Sequence, residues 1–238
     1  MIDQQLLLDG AVKLGISLDQ TALDRFDLYA AKLVEWNEKI NLTSIIEPDQ
    51  IVSKHFLDCL AVLVHLPLPQ QASLIDVGTG AGFPGLVLKI ARSDLKLTLL
   101  DSLNKRILFL DEIVGCLGLY NTQTIHSRAE DGGNNPATRE AFDFATARAV
   151  ASLGELAEYC LPFVKKGGLF FAMKGREPEA EINAAKNAIG TLGGQFVKQI
   201  VYELPDTDIT HSLILIKKIS QTSTKYPRNP SRIAKNPL

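Results

Sequence analysis

The chain has 238 residues, 46% of them apolar, and a formal charge of −2. That length and composition predict one sizeable packed domain with an appendage rather than a disordered chain. The start, Met1-Ile2-Asp3, shows no basic stretch ahead of an apolar one, and no apolar run approaches a membrane span. Cys59, Cys116 and Cys160 form no CxxC pair and read as buried, reduced thiols, so a cytoplasmic protein is expected. His55, His65, His126 and His211 lack the spacing of a metal site, and none is expected.

Residues 1–70 read as a helical section. Leu6, Leu7, Gly10 and Leu14 can share one helix face, and Phe26, Tyr29, Leu33, Trp36 and Ile40 recur at helical spacing. Thr21-Ala-Leu-Asp24 resembles a capping box with Asp in place of Glu. Glu47-Pro48 can open a further helix carrying Ile51, Val52, Phe56 and Leu60. Pro67 and Pro69 mark a boundary, and residues 71–219 then alternate strand and helix. Strands are predicted at Ser73–Val77, Lys96–Leu100, Thr122–His126, Phe142–Thr146 and Leu169–Lys174. Helices are predicted between them at Pro84–Arg92, Lys105–Leu117 and Ser152–Val164, with a fourth after the last strand at Pro178–Leu192. Such alternation predicts an α/β fold with a parallel sheet covered on both faces. Phe196–Leu204 and Leu213–Ile219 follow one another without a helix and predict a terminal antiparallel hairpin. Residues 220–238 carry Pro227, Pro230 and Pro237 and few apolar groups, and read as a basic tail, mobile or draped over the body.

The most informative segment is Asp76-Val-Gly-Thr-Gly-Ala-Gly-Phe-Pro-Gly85, a glycine turn between a strand and a helix. Glycines there permit a tight turn and close approach of a ligand to the backbone. The dinucleotide fingerprint G-x-G-x-x-G needs glycine at 83, where this chain has Phe83. The D-x-G-x-G-x-G pattern and the terminal hairpin fit S-adenosylmethionine better than a nicotinamide cofactor.

Ligands of an open parallel sheet sit beyond the carboxyl ends of its strands. Asp101, after the second strand, can accept from both ribose hydroxyls, and Ser102 and Leu103 can flank an adenine. Ala129, by its backbone amide, and Glu130, by its carboxyl, can read the adenine edge after the third strand. Arg148 after the fourth, and Lys174 and Arg176 after the fifth, place positive charge on the same rim. Each has a plainer alternative: Asp101 as a helix cap, Glu130-Asp131 as a solvated loop, Arg148 as a surface ion pair. Charge is patterned as well. Six basic residues and no acid follow residue 216, leaving a net −8 on residues 1–216. Such a tail suits phosphates, or serves only solubility.

The chain lacks an Asn-Pro-Pro-Tyr segment, a Pro-Cys nucleophile pair and an H-x-E with paired cysteines. A methyl acceptor that is already nucleophilic, such as guanine N7, then needs alignment rather than a base. Glu130 is a candidate acid to face the positive charge that forms on the purine.

Together, Trp36-Asn-Glu-Lys-Ile-Asn-Leu-Thr43, His55-Phe-Leu-Asp58, the glycine segment, Asp101-Ser-Leu-Asn-Lys-Arg106, Arg128-Ala-Glu130, Thr146-Ala-Arg-Ala149 and Lys225-Tyr-Pro-Arg228 resemble the bacterial small-subunit rRNA guanine-N7 methyltransferase G family. This family is also known as glucose-inhibited division protein B. The resemblance spans nearly the whole chain. Cys59 stands where serine is common, and Ser231-Arg-Ile-Ala replaces a glycine-containing stretch. The resemblance implies a class I, Rossmann-like methyltransferase that transfers methyl from S-adenosylmethionine to a guanine of 16S rRNA, as naked RNA or in the small ribosomal subunit. It implies cofactor contacts at Gly78, Phe83, Asp101, Ser102, Leu103, Ala129, Glu130 and Arg148, and names no catalytic residue. Rival readings are a small-molecule methyltransferase of the same fold, a non-catalytic RNA-binding assembly protein, and a nicotinamide oxidoreductase.

Overall fold

The computed structural model describes residues 1–148 and 151–238. Its first seventy residues form α1 (Gln4–Lys13), α2 (Gln20–Asn37) and α3 (Pro48–Ile51), which continues through a π-helical stretch, Val52–Leu57, into α4 (Asp58–His65). The capping box expected at Thr21 does not form. Asp19, in extended conformation, is the cap of α2 and accepts from the Ala22 N–H at 2.7 Å, so Thr21 lies inside the helix. Asp caps as well as Ser or Thr, and it comes first in the chain.

Seven strands follow: β1 (Ser73–Val77), β2 (Lys96–Asp101), β3 (Thr122–His126), β4 (Phe142–Arg148), β5 (Val164–Lys174), β6 (Gly194–Glu203) and β7 (Thr210–Lys218). They form one sheet in the order β3-β2-β1-β4-β5-β7-β6. Neighbours from β3 to β5 are parallel, and β7 is antiparallel to both β5 and β6. The strand order reverses between β1 and β4, which leaves a crevice above their carboxyl ends. Strand β5 starts earlier than expected, at Val164, because Lys165 and Lys166 extend it as an exposed polar end.

The expected crossover helices are present as α5 (Gly85–Ala91), α6 (Asn104–Cys116), α8 (Leu153–Cys160) and α9 (Glu179–Thr191). Two others are additions. Segment 129–134, read as a possible solvated loop, is the helix α7 (Ala129–Asn134), and the tail contains α10 (Pro230–Lys235). The two glycines of α7 disguise it in the sequence, but they are what lets it pack. A Cβ on Gly132 would press on Leu100 and Phe163, and one on Gly133 on Pro162 and Pro227.

The sheet is covered on both faces. Leu7, Phe26, Leu33, Phe56, Leu86 and Phe109 belong to one continuous core, so the N-terminal helices pack with α5 and α6 on the same face. Ile75, Leu100, Phe163, Phe170 and Ile214 form the second core with α8 and α9.

The tail is a pinned arm rather than a mobile one. Arg139 donates to the carbonyls of Gly133, Thr222 and Tyr226 at 2.7–2.8 Å. Glu158, 1% exposed, accepts three bonds from Arg228: from its backbone N–H at 2.9 Å and from its guanidinium at 2.8 and 2.7 Å. Ile233 is fully buried. Lys218 is also fully buried, against Leu161 O, Thr222 Oγ1 and Glu140. Two of the six tail cations are therefore internal. Removing Arg228 strands a buried carboxylate, a loss of about 3–5 kcal/mol for such pairs.

Because the helical section shares its core with the sheet, Leu33→Ala should destabilise the whole protein by about 2–5 kcal/mol in one cooperative denaturant transition. Early melting of the helices with the sheet left intact would show that the shared core does not couple them.

Candidate active site

The glycine turn is held from beneath by two carboxyls. Asp76 Oδ2 accepts from Thr79 Oγ1 and from the Gly85 N–H, both at 2.8 Å. Asp101 Oδ2 accepts from the Gly80 N–H at 2.9 Å, and its Oδ1 from the Leu103 N–H at 2.9 Å. Arg106 approaches Asp101 at 3.3 Å. Tyr29 OH, from α2, ties down Ala81 O at 2.5 Å. Gly80 and Gly82 take φ of +61° and +97°, the left-handed region that favours glycine. Nothing lies within 4 Å of a Cβ built on Gly80, whereas at Gly82 it would strike Leu86 and Tyr29.

Two clefts flank this turn. One, of about 210 Å³, lies over the ends of β1, β2 and β3, with Gly78, Ser102, Arg128, Ala129, Glu130, Tyr159 and Pro230 among its walls. Burial raises the pKa of Glu130. The other, of about 380 Å³, lies over the ends of β4 and β5 and the start of β7, bounded by His55, Asp58, Arg148, Met173, Lys174 and His211 among others.

Arg148 is the centre of the second cleft. Its guanidinium donates to Asp58 Oδ2 at 3.2 Å and to His55 Nδ1 at 3.0 Å, and lies 4.8 Å from the Phe83 ring centre. His55 stacks on Phe83 at 4.5 Å. A ring nitrogen that accepts from arginine carries no proton, so the Nε2 of His55 bears the hydrogen and donates to Thr43 Oγ1 at 3.0 Å. Burial, then the Arg148 charge, lowers the His55 pKa to about 4. Asp58 Oδ1 accepts from Tyr202 OH at 2.9 Å and His211 Nδ1 at 2.8 Å. That bond to Asp58 raises the His211 pKa.

The comparisons bear on this site. The family model for GidB, rRNA small subunit methyltransferase G, matches residues 22–208. A ribosomal RNA small subunit methyltransferase G of Alkaliphilus metalliredigens is 50% identical over 238 residues, covering 100% of both chains. That of Clostridium perfringens strain 13 is 49% identical over 224 residues, 94% of each. The chain belongs to the rRNA small subunit methyltransferase G family. It is an S-adenosylmethionine-dependent methyltransferase. The fold is shared more widely. An O-methyltransferase from Thermotoga maritima aligns at TM-score 0.52 with 15% identity, covering 80% of this chain and 72% of its own. A branched-chain polyamine synthase mutein from Thermus thermophilus aligns at 0.57 with 13% identity, covering 82% and 64%. One fold serving two reactions leaves the chemistry to the site.

Of the residues expected at the cofactor, Gly78, Ser102, Ala129 and Glu130 line the first cleft together. Asp101 lies beside it, 1% exposed and turned onto the glycine turn rather than open to solvent. Leu103 is 52% exposed at the rim. Phe83 and Arg148 lie together on the other side of the turn. Ala149, at the end of its motif, is outside the described residues. Lys174 is occupied by Ala151 O at 2.6 Å and Glu181 at 2.8 Å, so it is not a free cation on the rim. Glu130 is in the first cleft, and the carboxylate bordering the second is Asp58.

Tyr29, His55 and Asp58 were legible only as core or motif residues, and Tyr202 and His211 carried no signal. The i, i+3 spacing of His55 and Asp58 on a helix does put both on one face. The residues present suit the cofactor. The space above Gly80 is open, and Asp76 Oδ1 is buried without a hydrogen-bond partner among the described residues.

A neutral His55 makes stability acid-sensitive. Its folded pKa lies below the unfolded value, so its contribution is present above about pH 6.5 and lost as pH falls towards 4. Burial raises Asp76 to about 7, which gives an opposite slope between about pH 4 and 7, so the two are separable only by difference. Urea titrations should show wild type losing up to about 3 kcal/mol relative to His55→Gln between pH 6.5 and 4. Parallel curves would mean that folding leaves the His55 pKa at its ordinary value, so that the ring is not held neutral by its surroundings.

Proposed function

We propose that this chain transfers the methyl of S-adenosylmethionine to N7 of a specific guanine in 16S rRNA, in the cytoplasm. The observation that carries this reading is the pair of clefts on either side of one glycine turn. Adenosine suits the first, between the turn and the residues Ser102, Ala129 and Glu130. Asp101 beneath the turn is the ribose acceptor. Its Oδ1 keeps a lone pair beyond the Leu103 N–H that it accepts, while Oδ2 already accepts from the Gly80 N–H and Arg106. The methionine end is directed towards Phe83 and Arg148.

The cofactor supplies an electrophilic methyl on a sulfonium. The chain supplies position. The second cleft admits a base between His55, Arg148, Met173 and His211, with the Asp58 carboxylate fixing two of its walls, Arg148 and His211. Guanine N7 carries a lone pair and no proton, so no side chain has to remove one, and alignment is the main catalytic resource. The methylated purine is cationic, and the Asp58 carboxylate borders that cleft. The Arg148 guanidinium is neutralised by Asp58 and stacked on Phe83, so it shapes the wall without opposing that charge. The acceptor class rests on the family. Methyl transfer in vitro to purified 16S rRNA, compared with transfer to the small ribosomal subunit, decides which of the two is the substrate.

Mass mapping of 16S rRNA from cells lacking the protein should reveal one guanine without its methyl, restored by the wild-type chain. That position in the restored RNA should be cleavable by borohydride and aniline. Methyl found on an exocyclic amine overturns the acceptor assignment. The single-turnover rate should not climb between about pH 6.5 and 8.5 and should be indifferent to chelators. A tenfold rise over that interval would reveal a base. Asp101→Ala should weaken S-adenosylmethionine binding by about 1.5–3 kcal/mol by calorimetry. Unchanged affinity in the folded variant removes Asp101 from the site.

A further inference from the structure

The C-terminal arm reads from its charge as an RNA-binding tail, but its path leads to the cofactor cleft. After β7 the chain passes Arg139, which gathers three of its carbonyls, and Pro227 then packs on Gly133 of α7. Asn134 at the end of α7 also donates to Pro227 O at 3.2 Å. Arg228 fastens the next residue position to Glu158 of α8 with the three bonds described above. Pro230 then lies in the wall of the first cleft, alongside Tyr159 and Glu130. The helix gripped by the arm is the one that begins with Ala129 and Glu130.

We propose that residues 226–230 of the arm are a cofactor-binding element. Pro230 forms the outer wall of the adenosine cleft, and the arm clamps α7 so that its first residues face the ligand. This rests on the cofactor reading given above. The carboxylate of Glu158 makes the docking obligatory in chemical terms. It is buried, and among the described residues Arg228 supplies all its hydrogen bonds. An arm whose docking strengthens ligand binding is held more firmly by the bound ligand to the same degree, because coupling between two binding events is reciprocal.

Two measurements test it with S-adenosylhomocysteine as the probe. In the intact chain, trypsin cleavage after Arg232 and Lys235, both exposed on α10, should slow at least about fivefold when the probe saturates, while cleavage after Lys39, just beyond the end of α2, stays constant. Pro230→Ala leaves the Arg228–Glu158 pair in place and should weaken the probe about three- to tenfold, the size of a lost apolar contact. It should weaken 5′-methylthioadenosine, which lacks the amino-acid end, by the same factor. Failure of the intact chain to bind the probe would remove the cofactor reading and this proposal with it. Normal binding by the intact chain, equal binding by Pro230→Ala and no protection of the arm overturn this proposal alone. A loss in Pro230→Ala confined to S-adenosylhomocysteine places Pro230 away from the adenosine and also overturns it.

Discussion

The second cleft depends on one carboxylate. Asp58, 2% exposed at the start of α4, collects Arg148 from β4, Tyr202 from β6 and His211 from β7. A charge so deeply buried is tolerable only if donors converge on it. Those donors lie 90 to 153 residues away in sequence. Satisfying Asp58 therefore fixes the helical section against the sheet end and the terminal hairpin at one point. The stack of His55, Phe83 and Arg148 follows from it. With Arg148 held by Asp58, His55 can only accept, and a histidine that accepts from a guanidinium must be neutral.

The same economy appears under the glycine turn. Asp76 and Asp101 end adjacent parallel strands, and both aim their oxygens at the turn, with Thr79, Gly80 and Gly85 as donors. Two carboxylates side by side would repel one another. Burial raises Asp76 to about 7, while Asp101 has Arg106 nearby. The turn is thus preorganised before a ligand arrives, and its open side at Gly80 is the side left without a Cβ. Preorganisation of this kind lowers the ordering that binding must otherwise overcome.

The fold was legible because its signals are local. Alternating apolar runs and helical stretches, a glycine turn and two consecutive strand-like runs specify the sheet and its reversed edge. The strand-end rule then brought Ser102, Ala129 and Glu130 to one cleft, since position along a strand suffices to put a residue at its end, and Gly78 came with the glycine turn. Three kinds of feature escaped. Helix α7 hid behind glycines, whose low helix propensity is outweighed by close packing on Leu100, Phe163 and Pro227. The Asp58 cluster joins residues whose proximity is created only by the sheet order. The roles of Asp101 and Lys174 depend on orientation: the first turns onto the glycine turn, the second onto Ala151 and Glu181.

Charge shows most clearly how a linear pattern changes once it is folded. In sequence the last 22 residues carry six cations and no acid. In the structure Lys218 and Arg228 are spent on internal carboxylates, and Lys217 borders the cleft of Lys165 and Lys166 at the amino end of the parallel strands. Lys225, Arg232 and Lys235 remain exposed on the arm. At ~0.9 in log–log salt slope per phosphate contact on a duplex, the arm's share of any RNA salt dependence is limited to roughly 2.7, half of what six free cations would give. Its exposed charge is therefore too small to anchor a large RNA by itself. Two of the three, Arg232 and Lys235, stand on the helix that begins with Pro230, at the wall of the first cleft. The arm's remaining cations are thus gathered beside the cofactor cleft, and their placement, more than their number, is what folding adds to the linear charge pattern.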